Sequence, residues 1–79
     1  MKVKIQGIRR IIIKSDIIKL DALLKYASIV STGGEAKHVI QSGEVLVNKE
    51  VCTTRGKKIK PGDIVHCGGD TILVKQAEV

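Results

Sequence analysis

Residues whose types and spacing could carry chemistry fall in three places. Ser31, Thr32, Gly33, Gly34, Glu35, Ala36 and Lys37 set two glycines and a lysine beside hydroxyls, the vocabulary of a phosphate-cradling loop. Cys52, His66, Cys67 and His38 are the residue types of a zinc site. Arg55, Lys57 and Lys58 crowd positive charge into a short polar segment, as contact with a polyanion would require.

A nucleotide-binding P-loop needs a longer glycine-rich arc that ends in Gly-Lys-Ser/Thr on a helix following a buried strand. The stretch from Ser31 has neither that length nor that ending, and a helix and connector precede it. Thr32 and Glu35 stand instead at capping-box spacing, so the Thr32 hydroxyl can accept from the Glu35 N–H while the Glu35 carboxylate reaches back to the Thr32 N–H. The stretch reads as a helix start. Side-chain-free amides at Gly33 and Gly34 can also approach an external phosphate, with Lys37 one turn further on. A cap alone and a cap that also contacts phosphate both remain open on these residues.

Zinc fits poorly, because adjacent His66 and Cys67 on a strand point to opposite faces and no ligand pair has the usual short loop. Nucleophilic catalysis fits no better, since no acid is placed to orient a Cys–His pair and so small a chain has little room for a pocket. The chain is read as a non-enzyme with no metal and no cofactor. A ubiquitin-like modifier or sulfur carrier would end in Gly-Gly, whereas Gly68 and Gly69 are followed by ten more residues.

The 79 residues allow one domain, residues 1–79, with one small core. That core is aliphatic, because Tyr26 is the only aromatic residue. Formal net charge is +6, with five positive charges in residues 1–14, four in residues 53–62 and a net of minus three elsewhere. Two basic blocks of this kind suit contact with nucleic acid or acidic membranes, and equally a lysine-rich surface that only confers solubility. The two cysteines show no C-x-x-C spacing, which favours free thiols in a reducing cytoplasm. The N-terminus reads as neither a signal peptide nor a membrane span, because Lys14 and Asp16 interrupt its apolar residues.

The elements that must position these residues follow from periodicity. Residues 2–5 alternate polar and apolar, and residues 9–14 contain three consecutive isoleucines, so the first third supplies one or two strands. Leu20, Leu23, Leu24 and Ala27 fall at helical spacing, predicting a helix over about residues 19–28 with Asp21 in its first turn. Ile29 and Val30 make a short apolar connection. Ala36, Val39 and Ile40 carry a second helix to Gly43 and leave Lys37, His38 and Gln41 exposed.

The chain then turns β-like. Residues 44–47 and 51–53 form a hairpin around Asn48, Lys49 and Glu50, and because Lys resists a left-handed backbone the turn is expected to be longer than a tight Asn-Gly one. Residues 54–60 form a basic loop or short strand. Pro61, Gly62 and Asp63 suit a type II turn, and residues 64–67 and 71–75 form a second hairpin around Gly68, Gly69 and Asp70. The fold class expected is α+β, two helices packed on a small, mainly antiparallel sheet.

Lys19, Leu20 and Asp21, the stretch 31–37, Val39, Ile40, Gly43, Val45, Val47, Asn48 and residues 61–64 together resemble the ribosomal protein S-four-like RNA-binding domain family. The family pattern runs R-L-D, S-R-x-x-A, L-I, G-x-V-x-V-N-G and G-D, and the likeness covers about residues 19–65. The basic R-G-K-K loop is similar to that of its small stand-alone YaaA/YbcJ-like branch. The resemblance implies an alpha-L RNA-binding motif of bacterial type: a non-catalytic module whose two helices and hairpin loop present one basic surface to structured RNA, ribosomal or transfer RNA, with a ribosomal particle as a further partner. By position it assigns RNA contacts to Lys19, Lys37 and His38, to Asn48 of the V-N-G motif, and to Arg55, Lys57 and Lys58. The arginine of the usual Ser-Arg pair is absent, with Thr32 and an extra glycine, Gly33, in its neighbourhood, so the resemblance implies that backbone amides make the contact there. Lys49 replaces the turn glycine, and Gln41 shares the exposed face of the second helix.

The residues themselves point to the same mechanism. With one aromatic, base stacking is not available, so contacts fall on phosphates and on the shape of folded RNA. Neither helix has the strongly basic amphipathic character of a membrane-surface binder, and the domain is expected to be a cytoplasmic monomer. The competing reading is a protein-interaction adaptor that docks a ribosomal or RNA-processing partner. The roles of Arg9 and Arg10 are left open.

Overall fold

A computed structural model of the protein describes residues 7–77, and the strand expected over residues 2–5 lies outside them. The isoleucine-rich segment is strand β1, Ile8–Ile13. After it come β2, Ile18–Lys19, helix α1, Leu20–Tyr26, and helix α2, Gly33–Gln41. The remaining strands are β3, Val45–Val47, β4, Glu50–Val51, β5, Lys58–Ile59, β6, Ile64–Cys67, and β7, Asp70–Gln76. The main sheet has the order β1-β7-β6-β3-β4, and β2 pairs separately with β5. Every pairing is antiparallel except β1 with β7. Both helices and three more strands of that sheet therefore form the connection between its two parallel strands.

Both helices end the same way, for different residues. At the end of α1 the Ser28 N–H donates to the Lys25 carbonyl (3.0 Å) and the Ile29 N–H to the Leu24 carbonyl (3.0 Å), with Ser28 at φ 62°. At the end of α2 the Gly43 and Glu44 N–H groups reach Ile40 and Val39 in the same pattern, with Gly43 at φ 85°. Each is a Schellman closure, which wants glycine at the left-handed position. Glycine fills it in α2 and serine in α1. This closure stops α1 at Tyr26, two residues short of the expected end.

Helix α2 begins as a capping box with one correction. The Thr32 hydroxyl accepts from the Glu35 N–H (3.1 Å), but the Glu35 carboxylate reaches the Ser31 N–H (2.7 Å) and not that of Thr32. Ser31 precedes the cap, so the carboxylate ties down the incoming chain as well as the helix end.

The hairpin turn between β3 and β4 also departs from expectation. Val47 pairs with Glu50, so the loop is the two residues Asn48 and Lys49, both with positive φ (52° and 74°). Lys49 accepts the left-handed backbone because its neighbour is fixed. The Asn48 N–H donates to the Ile64 carbonyl (2.7 Å), its Oδ1 accepts from the Ile64 N–H (3.0 Å), and its side-chain amide donates to Asp63 (3.2 Å). The Pro61–Gly62 turn is as expected, with Gly62 at φ 97° and the Asp63 N–H donating to the Lys60 carbonyl.

One face of the sheet carries the core. Leu20, Leu23, Leu24 and Ala27 of the first helical segment and Ala36 and Ile40 of α2 pack on Val45, Val47, Val65, Cys67, Ile72 and Val74. Alternation along each strand sends these inward and their neighbours outward. Arg9 shares the inward side of β1 and donates from its guanidinium to the Ala27 carbonyl (3.1 Å), with Asp70 3.9 Å away. It covers a carbonyl at the end of α1 with a cation, where the helix dipole favours positive charge.

Candidate nucleic-acid interface

The basic loop is built into the start of α1. Lys19 offers no side-chain cap, and the orphan amides are met by the loop's own backbone: Leu20 donates to the Lys57 carbonyl (2.9 Å) and Asp21 to the Arg55 carbonyl (3.1 Å). The β2–β5 pairing then sets Lys19 directly across from Lys58. Four sequence-predicted residues, Lys19, Arg55, Lys57 and Lys58, are thus gathered at one end of α1, and all are exposed. No sequence rule signalled that carbonyls of the loop would cap this helix, although the absence of Ser, Thr, Asp or Asn at position 19 left a cap to be found.

Like charges opposed on paired strands repel. Among the described residues the single ion pair is Arg9 with Asp70, so none of these four cations has a carboxylate within ion-pair distance. Chain folding has placed positive charges side by side with no carboxylate at ion-pair distance among the described residues, an electrostatic condition that favours taking up an external anion.

Lys37, His38 and Gln41 are exposed on α2, whose opposite side buries Ala36 and Ile40. The Thr32 hydroxyl is committed to the cap. Gly33 has open space where a Cβ would stand, with nothing within 4 Å. Internal packing therefore does not require glycine there.

Asn48 and Lys49 occupy the tip of the β3–β4 hairpin, beside the Asp63 turn. The Asn48 side chain is engaged internally on both its oxygen and its nitrogen, which gives it a positioning part: it locks the hairpin tip to the turn that follows β5. Partial burial pushes the Asp63 carboxyl up, but the Lys60 N–H, the Asn48 amide and the charges of Lys60 and Lys57 outweigh it and hold Asp63 below the ordinary carboxylate range. Lys57 and the hairpin tip therefore share one electrostatic neighbourhood. Lys60 belongs to it too, although position in the sequence pattern did not single it out; its place in the 53–62 charge block was the available signal.

Elsewhere the chemistry is quiet. Cys67 is buried and Cys52 half-buried, both free thiols. Burial pushes the Cys67 thiol up, with Glu44 and Asp70 adding to it, so it is kept protonated and unreactive. His66 faces away from Cys67 and hydrogen-bonds Thr71 (3.1 Å).

Two comparisons bear on this surface. A family model described as the S4 domain matches residues 11–75. A protein of Bacillus subtilis (strain 168) named probable ribosome maturation protein RlbA is 41% identical over 57 residues, spanning 72% of this chain and 80% of the relative. The segment 11–75 takes in the second half of β1, both helices, the β3–β4 hairpin, the basic loop, β6 and all but the last residue of β7.

Proposed function

The chain belongs to the S4 domain family, and on that premise we propose that it is a non-catalytic module that binds structured RNA of the ribosome. The observation that carries this reading is the gathering of Lys19, Arg55, Lys57 and Lys58 around the start of α1, uncompensated by any carboxylate at ion-pair distance among the described residues. Lys37, His38 and Gln41 on α2 extend the contact, and Lys49 adds charge at the hairpin tip. The amides of Gly33 and Gly34 meet a phosphate where Arg would stand in the usual family motif. Asn48 acts by holding that tip in place.

With no aromatic platform among these residues, recognition rests on phosphate spacing and RNA shape, so discrimination among sequences is modest and folded RNA is preferred to single strands. Ribosome maturation, the process in the relative's name, supplies a setting: the module binds ribosomal RNA in an assembling particle in the cytoplasm.

The test is fluorescence anisotropy with a folded ribosomal RNA hairpin and an unstructured oligonucleotide of equal length, at several salt concentrations. Affinity for the hairpin should fall linearly on a log–log plot, by about 0.7 to 0.9 per phosphate contact. The double variant Lys37→Glu, Lys57→Glu should bind on the order of tenfold more weakly or worse. Unchanged affinity in that variant would remove this surface from consideration.

A further inference from the structure

The helices cover one face of the main sheet; the other is uncovered by any described residue. Its outward positions can be read from the register. Val51, Leu46, His66, Thr71 and Ile8 lie in one row across the strands, and Ile64, Leu73 and Arg10 in the next. Ile12 and Lys75 continue it. A solvent-facing side of a largely antiparallel sheet is ordinarily polar by alternation. Here it is mainly aliphatic, with Ile8 63%, Val51 61% and Ile12 56% exposed. Ile8, Ile12, Val51 and Ile64 make up most of the large exposed apolar side chains among the described residues, and all four fall on this face. Contiguous apolar surface of this kind marks a contact site.

Charge decides the occupant. The outward strand positions include Arg10 and Lys75 and no carboxylate. Arg10 lies directly beside Leu73 and Lys75 beside Ile12, so the cations border the apolar patch at its β1–β7 side. A second copy would bring the same cations, on a chain of net charge +6, against one another. RNA would gain nothing from aliphatic side chains that cannot stack with bases. What fits is a protein surface with aliphatic side chains at its centre and carboxylates at its margin.

We propose that the uncovered sheet face is a protein-docking surface for an apolar patch rimmed by carboxylates, on the opposite side of the domain from the exposed flank of α2. This goes beyond the RNA-binding reading and does not depend on it. The two surfaces are separated by the thickness of the sheet and its helices, so one domain can hold an RNA and an acidic protein at once.

The probe is a pair of synthetic peptides that alternate valine or isoleucine with glutamate in one and with lysine in the other, titrated into the full ¹⁵N-labelled chain. The glutamate peptide should shift the amides of Ile8, Arg10, Ile12, Ile64 and Leu73, and the lysine peptide should not. Ile8→Thr with Ile12→Thr should weaken the glutamate peptide at least tenfold while leaving the affinity for the ribosomal RNA hairpin unchanged. Arg10→Glu should favour the lysine peptide over the glutamate one, a reversal that loss of folding cannot produce. Shifts confined to α2 and the basic loop, or equal response to both peptides, would overturn the proposal. So would sedimentation equilibrium showing a dimer that dissociates on Ile8→Thr, since the occupant would then be a second copy, or an RNA footprint on β1 and β7.

Discussion

The Lys57 carbonyl accepts the N–H of Leu20 at 2.9 Å, so a cationic loop residue and the first residue of α1 hold each other in place. The loop that carries charge is also the cap of the helix beside it. Substitutions can therefore separate the two parts only at the side chains, because the capping atoms are backbone.

Lys58 and Lys19 stand opposite each other on β5 and β2, and Lys58→Gln relieves that repulsion. The free protein should gain about 0.2 to 0.5 kcal/mol in denaturant melts, while the salt slope for the RNA hairpin shrinks by about one. Opposite signs in the two measurements identify a site that trades stability for an anion. Loss of both would make the pair a packing feature.

Gly33→Ala tests whether the α2 N-terminus meets phosphate. The open space at Gly33 admits the methyl group, and at this first helical position alanine should stabilise the helix by less than the roughly 1 kcal/mol of an interior glycine-to-alanine change. RNA affinity should nevertheless fall, because the methyl keeps a phosphate away from the amides. Equal affinity would leave Thr32 and Glu35 as a cap alone.

Ser28 and Lys49 both carry left-handed backbones. Ser28→Gly and Lys49→Gly should each stabilise the fold by about 1 kcal/mol, and the pair should be close to additive because the two sit in separate turns. Urea unfolding of the singles and the double checks this. Lys49→Gly should also reduce RNA affinity, through the lost charge, whereas Ser28→Gly should leave it unchanged.

Asp63 gives the fold an acid limit. Its carboxyl is held below the ordinary range in the folded state by Lys60, Asn48 and Lys57 against the opposing effect of partial burial, so the unfolded chain takes up its proton first. The stabilisation is complete above the unfolded value, about pH 4, and is lost as pH falls through the lower folded value. Asp63→Asn should be less stable at pH 7 and should lose less on acidification from pH 5 to pH 2. Identical pH profiles for the two proteins would show that Asp63 is not the group responsible.

Much of this was legible in the chain because local chemistry and tertiary packing agree. The 3.6-residue spacing of Leu20, Leu23 and Leu24, the Thr32–Glu35 cap and the Pro61–Gly62 turn depend on neighbours within one turn, and each is found at its place. The two-residue β3–β4 turn is not legible locally, because the groups that secure it, Asp63 and Ile64, lie far along the chain. The end of α1 at Tyr26 is hidden in the sequence, because serine in a left-handed C-terminal position is no stop signal. The charge block at 55–58 was evident, but its attachment to α1 runs through backbone carbonyls, which every residue has and no composition reveals. Arg9 was undetermined for the same reason, since its partner is the Ala27 carbonyl.

The parallel pairing of β1 with β7 has a temporal consequence. Ile8 is aligned with Thr71 and Ile13 with Gln76, so the strand that leaves the ribosome early waits for the strand that leaves late. Nearly all the described chain must be synthesised before this isoleucine-rich segment can join its sheet, and long-range pairings of this kind form slowly and leave apolar strand exposed meanwhile. The α1–α2–β3–β4 unit can close earlier on local contacts. Nascent chains stalled before Asp70 should consequently carry an open β1 that proteases cut and other chains pair with, beside helices already in place.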